Sequence, residues 1–101
     1  MIRQGDVLLV PVDAIPQGAE GVKPDPQRGV VLAYGEVTGH AHVLPVKSVS
    51  MWSVGEQRYV TVTEDAPLTH EEHTAHVIPK GNYRVVIHRE YSPEEIRNVA
   101  D

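Results

Sequence analysis

Apolar runs in this chain are short, rich in β-branched residues, and closed every few positions by glycine, proline or another breaker. That punctuation excludes long helices from most of the sequence. "GDVLLVPVD" (5–13), "VVLAYGEV" (30–37), "HAHVLPV" (40–46) and "VSMWSV" (49–54) have the length and residue types of strands. So do "RYVTVTE" (58–64), "TAHVI" (74–78) and "YRVVIHREY" (83–91). With no Phe and one Trp, burial must come mostly from Val, Ile and Leu, which suit a pleated, half-buried surface.

Thr38-Gly39 reads as a turn or bulge, "GEQ" as a three-residue hairpin connection, and "PKGN" as the connection of a second hairpin between "TAHVI" and "YRVVIHREY". Residues 14–29 hold three prolines and read as a mobile loop with little to pack. One helix is expected, at 93–100: Ser92 caps it, Pro93 fits its first position and Glu95 completes a capping box. The expectation is a single all-β domain over 1–101, a small antiparallel barrel or sandwich closed by a short C-terminal helix.

Charge and composition narrow the function classes. The net charge is −5 with no run of Lys or Arg, so no nucleic-acid partner is expected. No apolar segment is long enough to span a membrane and no signal-peptide pattern opens the chain, which points to a soluble, cytoplasmic protein. Zero cysteines remove disulfides, thiolate nucleophiles and Cys-based zinc fingers. Small-molecule or protein partners, and a homo-oligomer, stay open.

Chemistry concentrates in the histidines. Of six, five fall in two windows, "GHAH" (39–42) and "THEEHTAH" (69–76). On a strand, His40 and His42 face the same way and can converge on one ion. His70 and His73 share a face only if the chain coils once, and Thr69 with Glu72 offers a capping box for such a turn over 69–73. Each window alone is better read as an exposed edge strand or a solvated loop. Together they favour a shared centre of His40, His42, His70 and His73 for a divalent transition metal. Zinc fits first, and nickel, manganese or iron accept the same ligands.

Glu71 and Glu72 are the candidate catalytic carboxylates beside that ion. The capping role occupies Glu72 and leaves Glu71 as the free base. Glu36 reads as solvent-facing, His88 as a packed or surface strand residue, and His76 ranks below the other four.

"QGDVLLVPV", "GEVTGHAHVL" and "APLTHEEHTAHVIPKGNYRVVIHREYSPEEIR" together resemble a family of small, uncharacterised bacterial proteins with the pattern G-E-x-T-G-H-x-H, L-T-H-E-E-H, P-x-G-x-Y-x-V and R-E-Y. The resemblance covers nearly the whole chain and makes His40, His42, His70, Glu71, Glu72 and His73 its motif positions. It implies no particular activity. The H-x-H strand and the "PKG" turn are also similar to cupins, metal-binding β-barrels. A cupin's Glu after H-x-H and His after the Gly are replaced here by Val46-Lys47 and Arg84. The first forty residues are faintly similar to the co-chaperonin barrel with its mobile loop.

Three functions follow as alternatives. The first is a metal-dependent hydrolase. The second is a non-catalytic module, metal-stabilised or a co-chaperonin-like barrel. The third is a metal-free acid–base enzyme using a histidine pair.

Overall fold

The computed structural model describes residues 1–35 and 39–88, so Glu36 and the helix expected at 93–100 lie outside the described residues. Ten strands follow one another: β1 (Ile2–Gln4), β2 (Val7–Val12), β3 (Glu20–Val22), β4 (Val30–Tyr34), β5 (Ala41–Leu44), β6 (Val49–Val54), β7 (Gln57–Val62), β8 (Ala66–Leu68), β9 (His76–Ile78) and β10 (Gly81–Ile87). Among the described residues there is no helix.

Six strands form one antiparallel sheet in the order β1-β2-β10-β7-β6-β3. The strands β4–β5 and β8–β9 form two separate ribbons. A two-bond bridge joins those ribbons: Val43 and Thr69 exchange backbone hydrogen bonds of 2.9 and 3.0 Å. The ribbons thereby make a second layer across the core. The large sheet stays open, with β1 and β3 as its edges, so the closed barrel is not formed.

Period-2 alternation places one set of side chains between the layers. Val7 and Leu9, Val49 and Met51, Val60 and Val62, and Tyr83 and Val85 come from the sheet, and meet Leu32, Leu44, Leu68 and Ile78 from the ribbons in one buried cluster. The aliphatic composition is thus sufficient for a core without Phe.

Three details correct the sequence reading. "TAHVI" and "YRVVIHREY" do not form a hairpin: β9 pairs with β8 in a ribbon, while β10 pairs with β2 and β7 in the large sheet, because the strands on either side of the short Pro79-Lys80 connection belong to different layers. Residues 14–29 are not all loop: Glu20–Val22 pairs with Ser53–Met51 on β6, and Asp25 and Gly29 bond each other's backbone at 2.7 and 2.9 Å. Three residues with one β-branched side chain carry too weak a pattern to read as a strand, and β3 is held by its neighbour instead. The β6–β7 connection is also shorter than "GEQ". Val54 pairs with Gln57, leaving only Gly55-Glu56, and Gly55 takes a φ of 59°. A two-residue hairpin loop needs that left-handed conformation, which glycine supplies without strain. The β1–β2 hairpin repeats the device with Gly5-Asp6 and the same φ of 59°.

Leu44 is fully buried where the second layer meets the sheet, whereas Val77 is 67% exposed on β9. Leu44→Ala should lower the unfolding free energy by about 2–4 kcal/mol. Val77→Ala should change it by about 0.5 kcal/mol or less. Urea denaturation of both variants checks the contrast.

Candidate metal centre

The Val43–Thr69 bridge explains why two histidine windows so far apart in sequence meet. In an antiparallel pair, each step forward on one strand is a step back on the other. With Val43 opposite Thr69, His42 falls opposite His70, Ala41 opposite Glu71, and His40 opposite Glu72. The side-chain contacts follow that register. The His42 and His70 rings have centroids 4.3 Å apart, Ala41 N donates to Glu71 Oε1 at 3.0 Å, and His40 Nδ1 lies 3.2 Å from Glu72 Oε1.

The helical turn expected over 69–73 does not form. Thr69 is held to Val43 in β register, and residues 71–73 bend without coiling. The capping box is therefore absent. Glu72 N donates instead to His70 Nδ1 at 3.0 Å. The bend brings His73 back over His70, with ring centroids 4.6 Å apart, and alongside His42 at 5.7 Å.

His42, His70 and His73 each offer one ring nitrogen, and these atoms all lie within 4.8 Å of one another. Three ligands on ~2.05 Å bonds in a tetrahedron stand roughly 3.4 Å apart. Small rotations of two exposed or half-buried rings, those of His73 and His70, close that gap. His40 is not in this group. Its ring stands edge-on to His70 at 5.6 Å and its Nδ1 faces Glu72. His76 is on β9 opposite Leu68, and His88 follows β10, its backbone N donating to Asp6 O at 2.6 Å; neither joins the three.

Gln4, at the end of β1 and buried, holds the arrangement. Its Nε2 donates to Leu68 O at 2.9 Å and to Thr74 O at 3.0 Å, spanning the segment that carries His70 and His73. With both amide hydrogens committed, Oε1 must accept, and it lies 2.8 Å from His42 Nδ1. The His42 proton is therefore on Nδ1, and the Nε2 lone pair is available for an ion. That is how an outer hydrogen bond fixes a ligand histidine's tautomer. His70 is arranged differently: Nδ1 accepts from Glu72 N, so its proton is on Nε2. An ion at His70 requires either that this N–H let go or that the ring proton be lost from Nε2.

Gly5 makes room beneath the rings. A Cβ there would stand 2.8 Å from His73 Nε2 and 3.2 Å from His42 Cε1. Asp6, beside it in the same turn, places Oδ1 3.6 Å from His42 Nε2. Burial pushes the His42 pKa below its ordinary value, with the neighbouring His70 next in effect; Asp6 opposes both. The lowered pKa favours the neutral imidazole, the form a metal needs. Glu71 is held below the usual carboxylate range, first by the Ala41 N–H it accepts. Glu71 ties the loop to β5, while the Glu72 carboxylate, 66% exposed, does not do the capping read from sequence and faces His40.

Sequence reasoning missed Gln4, Gly5 and Asp6 as site residues. "QGD" carried one legible signal, a glycine–acid pair ahead of an apolar run, but a turn is all it announces. A buried glutamine leaves no mark in a sequence pattern.

Two outcomes follow. Gln4→Leu strips donors from Leu68 O and Thr74 O and should cost about 1–3 kcal/mol of stability, measured by urea denaturation. Below pH 6.5, the ordinary value for His42, the unfolded chain binds a proton that the folded metal-free chain resists. Stability should thus be full above about pH 6.5 and decline as pH falls from there toward the depressed folded value. His42→Gln should flatten that slope in denaturation curves collected across the range.

Among the described residues no helix is long and apolar enough to cross a membrane. No curated protein and no solved structure shows significant similarity to the chain. A family profile described as "Domain of unknown function (DUF8820)" matches residues 3–88, and the chain belongs to that family.

Proposed function

We propose that this protein is a metal-dependent hydrolase built on a three-histidine centre. One observation carries the reading: His42, His70 and His73 present nitrogens within 4.8 Å of one another while Gln4 fixes the His42 tautomer with Nε2 open. Neutral imidazoles suit zinc first, and nickel, manganese or iron also accept them. Three protein ligands leave a coordination position open, the arrangement of catalytic rather than structural sites. A bound ion supplies Lewis acidity and lowers the pKa of water to ~7.

The chain's own groups take the remaining roles. Glu72, exposed at the rim and steered by His40, accepts the proton. Glu71, its carboxylate stabilised by the Ala41 N–H that it accepts, positions the loop. Asp6 orients what approaches His42 Nε2. A purely structural ion is the lesser reading. Gln4 and the Val43–Thr69 bridge already tie the loop to the body of the protein without it.

Elemental analysis after reconstitution with zinc, nickel, manganese or iron tests the proposal, together with turnover on a panel of ester, amide and phosphoester substrates. The expected result is one ion per chain, lost in His42→Ala with the fold retained, and hydrolysis abolished by chelation. Collapse of the fold on chelation, without turnover, establishes a structural ion instead. Activity that survives exhaustive chelation establishes histidine acid–base chemistry.

A further inference from the structure

A second feature lies outside the histidine centre. A cavity of about 190 Å³ opens between β3, β4 and β6, with Val22, Val30, Val31 and Met51 as its apolar wall. Arg58 and Lys23 line it as well. Arg58 occupies an unusual place. On β7 it shares a face with Val60 and Val62, both fully in the core, so a guanidinium has been directed into the space between the layers.

Its hydrogen bonds there go to neutral groups. Nη2 donates to Leu32 O, and Nη1 points to Met51 Sδ at 3.9 Å. Among the described residues no carboxylate pairs with it. A guanidinium has five N–H donors, so among the described residues three are left unengaged and could meet a ligand. Burial disfavours the Arg58 charge, and with no carboxylate paired to it among the described residues an incoming anion would be correspondingly welcome.

The third charged group, Asp25, does not supply that anion. Its Oδ1 accepts from Gln27 N and Arg28 N at 2.9 and 3.1 Å, and its Oδ2 from the Tyr34 hydroxyl at 2.9 Å. Those bonds hold the carboxyl ionised and turned to its own loop. Among the described residues that line it, Lys23 and Arg58 against Asp25 leave a net charge of +1, which matches a monoanion. Volume sets the size: a dry cavity of ~150 Å³ accepts benzene, so this one takes a ligand of similar bulk.

We infer that this cavity is a binding site for a small aliphatic monocarboxylate, its carboxylate bonded by Arg58 and Lys23 and its branched chain against Val30, Val31 and Met51. The site is independent of the metal proposal, since it uses none of the same side chains.

Isovalerate, with isovaleramide as the uncharged isostere, tests it in ¹H–¹⁵N NMR titrations of the full chain. EDTA is included so that carboxylate binding to an ion cannot contribute, and sodium chloride balances ionic strength. Saturable shifts are expected at the amides of Lys23, Val31 and Met51, with the amide analogue binding about tenfold or more weakly, as loss of a charge-assisted pair implies. Arg58→Gln should weaken isovalerate by about tenfold. Because Arg58 also bonds Leu32 O, that variant is checked for folding by its own spectrum. Lys23→Gln, a surface change, gives an independent readout and should weaken binding about threefold. Absence of saturable shifts, equal binding of acid and amide, or unchanged affinity in Lys23→Gln would each overturn the assignment.

Discussion

The two hydrogen bonds between Val43 and Thr69 set the geometry on which the rest depends. Their direct contribution is modest, on the order of 1 kcal/mol each. Their consequence is register. A slip of one residue would turn His70 away from His42 and put Glu71 in its place, because strand side chains alternate faces. The same pairing joins the two ribbons into a layer whose Leu44, Leu68 and Ile78 pack into the core against the large sheet. Core and site therefore share one constraint, and neither can be reset without the other.

Gln4 works on top of that register. It reaches from the edge strand of the large sheet to both ends of the histidine-bearing loop and to His42, so it connects the two layers through polar contacts. A glutamine satisfied on all sides is compatible with burial. No buried side-chain polar atom among the described residues lacks a partner. The centre is thus assembled by hydrogen bonds already complete in the protein chain.

The parts of this structure legible in sequence are those written in local pattern. Seven of the strands announce themselves as apolar runs between breakers, and the histidine windows announce themselves by residue type and spacing. What failed was non-local. β1, β3 and β8 are three residues each and are held by partners rather than by their own composition. The helical turn at Thr69 was a reasonable reading of T-x-x-E, and lost because strand pairing with Val43 claimed the same backbone groups. That pairing also turns His40 Nδ1 to Glu72, so His40, though its ring stands beside His70, is outside the group of three nitrogens. An i, i+2 spacing gives a shared face, but not a shared destination.

The span of Gln4 from Leu68 O to Thr74 O has an entropic meaning. A loop that must be ordered when its ligand arrives reduces affinity by the freedom it loses, whereas one ordered during folding does not. Here the segment bearing two of the three rings is clamped at both ends before anything binds. In the proposed centre an arriving cation would meet rings already held close together, with ring rotations and the release of His70 from Glu72 N still to come. Discrimination among cations in such a centre falls to the angles and distances it permits, since inherent affinity alone would favour copper over every other first-row ion.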